Sequence, residues 1–264
     1  MKTVSSADGT LIAYDQYGAG PPIVLVHGMT GSRSTSFVGL RPRLQDDLTV
    51  VPMDRRGRGG SGDGPDYAIE REFEDVLAVV NTLGAPVLLF GHSFGAVCAL
   101  GAATQSDKVD GLILYEPWIA VEDESLYTPA QLEQFDKFLA ADDREGLTMM
   151  LLSEIVGILP RDMEQLMAAP SWNERLAVAH TIPREARAEE TYRLPADQAG
   201  KLTIPVLLLL GGDSQPDAKR VNTMLEEALP NARTVVMQGQ HPAAMRTAPD
   251  MVAGAVLGFW REIA

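Results

Sequence analysis

The chain has 264 residues, of which 45% are hydrophobic and 22% are charged, a composition that excludes bulk disorder. Its 36 acidic and 22 basic residues give a formal net charge of −14, which argues against nucleic acid or an anionic membrane surface as a partner. The single cysteine, Cys98, excludes an intrachain disulfide and argues against a cysteine-rich metal site. No signal peptide or membrane-spanning run is visible, so we expect a cytoplasmic protein.

Short apolar runs alternate with amphipathic stretches in the first half of the chain. A turn at 7–10 separates two short strands, and further strands are predicted at 23–26, 48–53, 86–90 and 109–115. Between 67 and 83 the apolar residues recur at steps of four and three, which predicts a helix. A second helix, buried because it is small and apolar throughout, is predicted over 94–106. Strands that are apolar at every position predict a parallel sheet covered on both faces.

The alternation stops between about residues 117 and 203. This segment contains helical stretches separated by prolines and many Met, Leu and Phe residues, with no evident strand. It is too long for a connecting loop. We expect a helical insertion that either covers a site as a lid or forms the core of a small helical subdomain. A strand at 204–210, a helix at 216–229, a strand at 233–237 and a C-terminal helix near Pro249 follow.

The pentapeptide Gly91-His92-Ser93-Phe94-Gly95 lies between a predicted strand and the buried helix. A serine on such a sharp turn needs glycines two residues before and after it, because the backbone passes close to itself there. The turn exposes the Ser93 hydroxyl at the positive end of the following helix. This context predicts a nucleophile.

Three motifs together resemble the α/β-hydrolase family. They are the turn at 91–95, the strand-end segment 27–29, which is similar to the family's oxyanion loop, and the segment 53–62, which resembles its D-x-R-G-x-G-x-S loop. The resemblance implies a mostly parallel eight-stranded sheet flanked by helices, with a helical cap between the sixth and seventh strands. It also implies a core of residues 1–116 and 204–264 and a cap of residues 117–203.

A serine hydroxyl needs a base to remove its proton, and the chain has four histidines. His27 and His92 lie inside the two turn motifs, and His180 is predicted on the surface or lid of the insertion. His241 follows the last predicted strand, which is where the family carries its catalytic histidine. Both considerations select His241, and the order Ser93, acid, His241 agrees with the family.

Two carboxylates are candidates for the acid that orients His241. Asp213 follows the seventh strand, the commoner position in the family, but comes one residue sooner than the usual G-x-x-D spacing. Glu116 ends the sixth strand, as in zearalenone-type lactonases, and its extra methylene spans a longer gap. We favour Glu116 and keep Asp213 as the alternative acid.

The resemblance further implies an oxyanion hole made by the backbone N–H groups of Met29 and Phe94. Asp54 and the neighbouring arginines 55, 56 and 58 are expected to be turn scaffolding and solvated charge. Cys98 is expected to behave as a small buried hydrophobe. No nucleotide or metal motif is present, so we expect no cofactor and no metal.

These observations predict a serine hydrolase that cleaves a carboxylic ester or lactone through an acyl-enzyme on Ser93. The apolar content of the insertion indicates a small apolar substrate. Alternatives that use the same residues are a carbon–carbon bond hydrolase, a cofactor-free perhydrolase, and a natural-product cyclase or thioesterase. A ligand receptor on the same scaffold is a further alternative. Serine in place of aspartate at position 93 disfavours dehalogenase and epoxide hydrolase chemistry. The sequence does not determine an oligomeric state, and a homodimer stays open.

Overall fold

The computed structural model describes residues 1–121 and 124–264. The strands are β1 (Lys2–Ser5), β2 (Leu11–Tyr14), β3 (Pro22–Val26), β4 (Thr49–Pro52), β5 (Val87–His92), β6 (Val109–Tyr115), β7 (Val206–Gly211) and β8 (Ala232–Met237). The helices outside the segment between β6 and β7 are α1 (Arg41–Leu44), α2 (Ile69–Asn81), α3 (Phe94–Ala103), α10 (Pro216–Ala228), α11 (Ala244–Thr247) and α12 (Pro249–Ile263). The helices between those strands are α4 (Pro129–Ala140), α5 (Arg144–Met150), α6 (Pro160–Ala168), α7 (Trp172–Ala177), α8 (Ile182–Thr191) and α9 (Ala196–Ala199).

Six strands form a parallel sheet in the order β4-β3-β5-β6-β7-β8, while β1 and β2 form a separate antiparallel hairpin. Two isolated bridges, Tyr14 with Met53 and Tyr17 with Val50, connect the hairpin region to the chain around β4. The predicted mostly parallel α/β fold is confirmed. Its eight strands form, but the first two meet the sheet through bridges rather than a continuous ladder.

The sheet is covered on both faces because alternate residues of its central strands point to opposite sides. Val24, Leu89 and Leu112 pack in one apolar cluster with residues of α2, α3 and α10. Ile23 and Phe90 pack in another cluster with residues of α1 and α12. Each buried aliphatic side chain contributes roughly 1.5–3 kcal/mol through its transfer from water. Because all six strands are parallel, their carboxyl ends meet at one edge of the sheet.

The segment between β6 and β7 is a helical insertion, defined here as residues 117–203. Part of it joins the main core through Phe135 and Ile182. Another part forms a small apolar cluster of its own that includes Met163 and Trp172. A π-helical turn, Leu151–Ile155, continues α5. The insertion is thus packed partly as an extension of the core and partly as a small subdomain.

The arginines of the loop at 53–62 were expected to be solvated, but the structure shows that they are buried. Each one is paired with carboxylates in what we call the arginine cluster, formed by Arg55, Arg56, Arg58, Glu72, Asp75 and Glu185. Asp54 fits the scaffolding expectation, since its carboxylate accepts from the Arg33 and Gly60 backbone N–H groups at 2.8 Å. The cluster joins the loop to α2 and, through Glu185, to α8 of the insertion. The expectation of solvated charge was therefore wrong.

No helix within residues 1–121 and 124–264 combines the length and apolar character needed to cross a bilayer.

Candidate active site

Ser93 lies between β5 and α3 with φ 53° and ψ −126°, a conformation that L-residues rarely adopt. A Cβ at Gly91 would collide with the backbone of Gly95 and Ala96, and one at Gly95 would collide with the His27 and Val26 carbonyls. Both glycines are therefore needed for the turn, as the sequence predicted. The turn places the Ser93 side chain on the wall of a cavity of about 330 Å³.

The segment 27–29 passes directly beside Ser93. A Cβ at Gly28 would lie 3.2 Å from the Ser93 Cβ, and Met29 lines the same cavity. In the described part of the chain, the backbone N–H groups of Met29 and Phe94 have no hydrogen-bond partner. The Arg58 guanidinium donates to the Met29 carbonyl and so fixes this segment from below. Two free donors near a serine hydroxyl could hold an oxyanion.

Glu116 follows β6 and also has a left-handed backbone, with φ 45°. Its Oε1 accepts hydrogen bonds from the Gly211 N–H at 2.8 Å and from the Ser214 Oγ at 2.5 Å. Burial raises the pKa of Glu116 to about 7, although these two hydrogen bonds act in the opposite direction. Glu116 lines the cavity together with Ser93. Because the Ser93 N–H donates to the Tyr115 carbonyl at 2.9 Å, the two turns are held side by side.

Asp213, the alternative acid, is exposed. Its backbone N–H donates to the Gln240 carbonyl at 2.9 Å. In the part of the chain that the structure describes, the carboxylate of Asp213 is not hydrogen-bonded to His241. The next residue, Ser214, is the one that faces Glu116. Ser214 stands three residues after Gly211, the spacing at which an acid is usual, and that spacing could have directed attention to it.

His241 has its backbone at the end of β7, where its Cα would lie 2.7 Å from a Cβ placed on Gly211. Its ring Nε2 lies 3.1 Å from Oδ2 of Asp162, a buried carboxylate in the first turn of α6. Among the described residues, no hydrogen bond joins the ring to Ser93, Glu116 or Asp213. The predicted residues thus share one edge of the sheet but are not hydrogen-bonded as a triad in this conformation.

The remaining histidines are in the environments that the sequence indicated. His27 is buried, its Nδ1 donating to the Gly28 carbonyl at 2.8 Å and its Nε2 accepting from the Arg55 N–H at 3.3 Å. Burial lowers the pKa of His92 to about 4, and its Nε2 donates to the Pro242 carbonyl at 3.0 Å. His180 is exposed on the insertion.

The Tyr115 side chain is hydrogen-bonded to the backbone of residues 241–244. The Tyr115 hydroxyl donates to the His241 carbonyl at 2.5 Å and accepts from the Ala244 N–H at 3.1 Å. Together with the bond from His92 to Pro242, these contacts fix the backbone that carries His241.

The insertion supplies polar groups to the cavity that the sequence did not identify. The buried carboxyl of Glu189 accepts from the Tyr127 hydroxyl at 2.5 Å, while its Oε1 has no hydrogen-bond partner among the residues that the structure describes. Burial raises the pKa of Glu189 to about 8, against the effect of the Tyr127 hydrogen bond. Arg175 of α7 also lines the cavity. No helical periodicity connects these positions to the sheet edge, so only the packed structure reveals them.

Comparison with known proteins identifies the family. The model of the alpha/beta hydrolase family matches residues 23–255. The crystal structure of an alpha/beta hydrolase from Sphaerobacter thermophilus has a TM-score of 0.86 and 36% identity, over 98% of this chain and all of that one. A non-heme haloperoxidase from Rhodococcus erythropolis is 29% identical over 98% of this chain and 99% of its own length. A pimeloyl-[acyl-carrier protein] methyl ester esterase from Neisseria meningitidis is 29% identical over 82% of this chain and 84% of its own. The chain belongs to the alpha/beta hydrolase family.

Proposed function

We propose that this protein is a serine hydrolase that cleaves a carboxylic ester or lactone. The observation that carries the proposal is the strained backbone of Ser93, which holds the hydroxyl on the cavity wall next to two unpaired N–H groups. Strain of this kind is retained where the surrounding structure holds it in place, and such positions are concentrated at active sites. Relatives named as a methyl ester esterase and an enol-lactonase agree with ester-bond chemistry.

In the proposed reaction, Ser93 Oγ attacks the substrate carbonyl carbon while His241 accepts the hydroxyl proton. The negative charge that develops on the carbonyl oxygen is held by the N–H groups of Met29 and Phe94. Collapse breaks the bond to the alkoxide leaving group, which receives the proton from His241. Water then repeats the sequence on the acyl-enzyme and releases the acid and free Ser93.

Glu116 is the acid that we assign to orient His241. Its Oε1 is occupied by Ser214 and Gly211, whereas Oε2 has no hydrogen-bond partner in residues 1–121 and 124–264. Oε2 is thus available to the imidazole. Catalysis requires His241 Nε2 to exchange Asp162 for Ser93 Oγ, since one ring nitrogen cannot serve both.

The cavity supports a small substrate with an apolar body. Aliphatic side chains of the insertion, among them Leu151, Leu152 and Ile158, line the cavity together with Ser93. A volume of about 330 Å³ lies at the small end of the range for ligand pockets.

The test is hydrolysis of short p-nitrophenyl esters by the purified protein. We expect Ser93→Ala to abolish nitrophenol release and labelling by a fluorophosphonate, because the proposed acyl-enzyme forms on the Ser93 Oγ. Ser171→Ala, which removes a different cavity hydroxyl, is the matched control and should keep most of the activity. Full activity in the Ser93→Ala protein would refute the assignment.

A second candidate is a cofactor-free perhydrolase, favoured by the relative named as a non-heme haloperoxidase. In that case hydrogen peroxide, rather than water, opens the acyl-enzyme and the product is a peracid. Peracid formation from the same ester in the presence of hydrogen peroxide, compared with acid formation in water, distinguishes the two.

A further inference from the structure

Arg175 is a guanidinium on the cavity wall whose hydrogen-bonding capacity is only partly used. Its Nη1 donates to the Thr30 Oγ1 at 2.8 Å and to the Thr30 carbonyl at 3.3 Å. Its Nε is buried and has no hydrogen-bond partner, and its Nη2 forms no hydrogen bond with the described residues either. The Nε and Nη2 groups form one edge of the guanidinium, which is the edge that binds a carboxylate through two parallel hydrogen bonds.

Within the described part of the chain, Arg175 also has no carboxylate partner. Across residues 1–121 and 124–264, no acidic oxygen lies within 4.0 Å of its nitrogen atoms. Its neighbour Glu174 accepts a hydrogen bond from Ser34 instead. The three arginines of the arginine cluster, by contrast, are each ion-paired. A cation left unpaired in a chain of net charge −14 indicates a site where the partner comes from outside.

The carboxyls that share the cavity do not neutralise Arg175. Glu116 is held by Ser214 and Gly211, and Glu189 is held by Tyr127. Burial raises the pKa of both, to about 7 and about 8, so a fraction of each is uncharged near neutral pH. Burial, reinforced by the Arg246 charge and opposed by the Glu174 charge, lowers the pKa of Arg175. Arg246 lines the same cavity.

We propose that Arg175 binds a free carboxylate on the substrate, so that this protein prefers an ester or lactone that also carries an acid group. The guanidinium is held by hydrogen bonds to Thr30, the residue that follows Met29. Thr30, Met29 and Ser93 all line the cavity. A substrate with its ester carbonyl at Ser93 and an apolar spacer along the aliphatic wall would place its carboxylate against the free edge of Arg175. This inference rests on the proposed function and specifies its substrate class.

The kinetic test compares monomethyl esters of succinate, glutarate and adipate with the corresponding dimethyl esters, which are neutral. We expect kcat/KM to favour the best monoester over its diester by about tenfold or more. Arg175→Gln should lower this ratio by about tenfold to a hundredfold, and Arg175→Lys, which keeps the charge but not the two-bond geometry, should lower it less. Lys201→Gln removes an exposed positive charge from the same insertion and should leave the ratio unchanged. A ratio near one in the wild type, or a ratio unaffected by Arg175→Gln, would overturn the inference.

A binding measurement separates failure of this inference from failure of the proposed function. Monomethyl and dimethyl glutarate are titrated into the Ser93→Ala protein by calorimetry, with and without Arg175→Gln. Preferential binding of the monoester that is lost in the double variant supports the carboxylate site even if the wild type hydrolyses no ester. Equal affinity for both esters contradicts the site even if ester hydrolysis is confirmed. Circular dichroism and the Tm of each variant verify that it is folded.

Discussion

The arginine cluster and the cavity wall both contain buried charged groups beneath the same insertion, but they differ in pairing. In the cluster, each arginine has a carboxylate partner, such as Glu72 at 2.7 Å from Arg55 and Asp75 at 2.7 Å from Arg56. On the cavity wall, neither Arg175 nor Glu189 has an ion-pair partner within 4.0 Å among residues 1–121 and 124–264. Leaving a buried polar atom unpaired costs about 1–3 kcal/mol. Ion pairing, more than burial, therefore separates the charges that stabilise the fold from those available to a ligand.

The largest effect that follows from this comparison is expected at Glu116. Glu116→Gln preserves the size of the side chain and an oxygen that can accept from Gly211 and Ser214, but it removes the negative charge that would orient His241. We therefore expect kcat to fall by a factor on the order of 10³ to 10⁴. Asp213→Asn is the matched control and should change kcat by less than about threefold, because Asp213 is exposed. Steady-state kinetics with saturating ester measures both. The reverse order of effects would make Asp213 the acid.

In the arginine cluster, substitution should damage stability and not the chemistry. Glu72 and Arg55 are both fully buried; burial alone would raise the pKa of Glu72, but the Arg55 charge and hydrogen bond lower it. Glu72→Gln should therefore reduce the free energy of unfolding by about 3 kcal/mol or more. Glu74→Gln, which breaks a partly exposed pair on the same helix, should cost less than about 1 kcal/mol. Urea denaturation measures both, and similar losses would contradict the distinction between them.

Glu189 should make stability decrease as pH rises. Its pKa is about 8 in the fold against an ordinary value of 4.5, so between these values the folded chain binds more protons than the unfolded chain. Its contribution is therefore fully present below about pH 4.5 and is lost as pH rises towards 8, with a slope of up to about 1.4 kcal/mol per pH unit. Glu189→Gln should reduce the slope of the free energy of unfolding against pH. Glu227→Gln, which changes an exposed carboxyl, should leave that slope unchanged. Unfolding measured at several pH values between 5 and 8 tests this, and an unchanged slope in Glu189→Gln would count against it.

The smallest effect is expected at Asp162, the carboxylate that holds His241 Nε2. Asp162→Ala removes a hydrogen bond that competes with Ser93, so kcat/KM should rise by about two- to tenfold, the equivalent of about 0.5–1.5 kcal/mol. Glu164→Gln on the exposed side of the same helix should have no such effect. A fall in kcat/KM for Asp162→Ala would indicate that this contact supports catalysis.

Much of the fold could be predicted from the sequence because its strands are apolar throughout and its turns carry glycine. The strand Val109–Tyr115 and the start of α12 at Pro249 are placed as expected. The turn at Ser93 could be predicted since its glycines have a steric reason that is visible in the sequence alone. The division of the sheet into six strands and a hairpin depends on pairing between distant segments, which apolar patterning does not determine.

The polar part of the site was harder to predict. Arg175 and Glu189 line the cavity, and Asp162 contacts His241, only because the insertion folds over the sheet edge, and nothing in their spacing indicates it. The arginine cluster did leave a signal. Glu72 and Asp75 alternate with Phe73 and Val76 on the buried face of α2, and carboxylates at such positions require buried cations as partners.

The fastening of the 241–244 backbone by Tyr115 and His92 has a consequence for the rate of turnover. With its main chain held by three hydrogen bonds, the imidazole can leave Asp162 by rotation about its own side-chain bonds, without movement of the backbone. Rotamer changes of exposed side chains take picoseconds to nanoseconds, whereas the opening of lids takes microseconds to seconds. We therefore expect the histidine to re-equilibrate many times in each catalytic cycle, so that bond cleavage or product departure determines the rate.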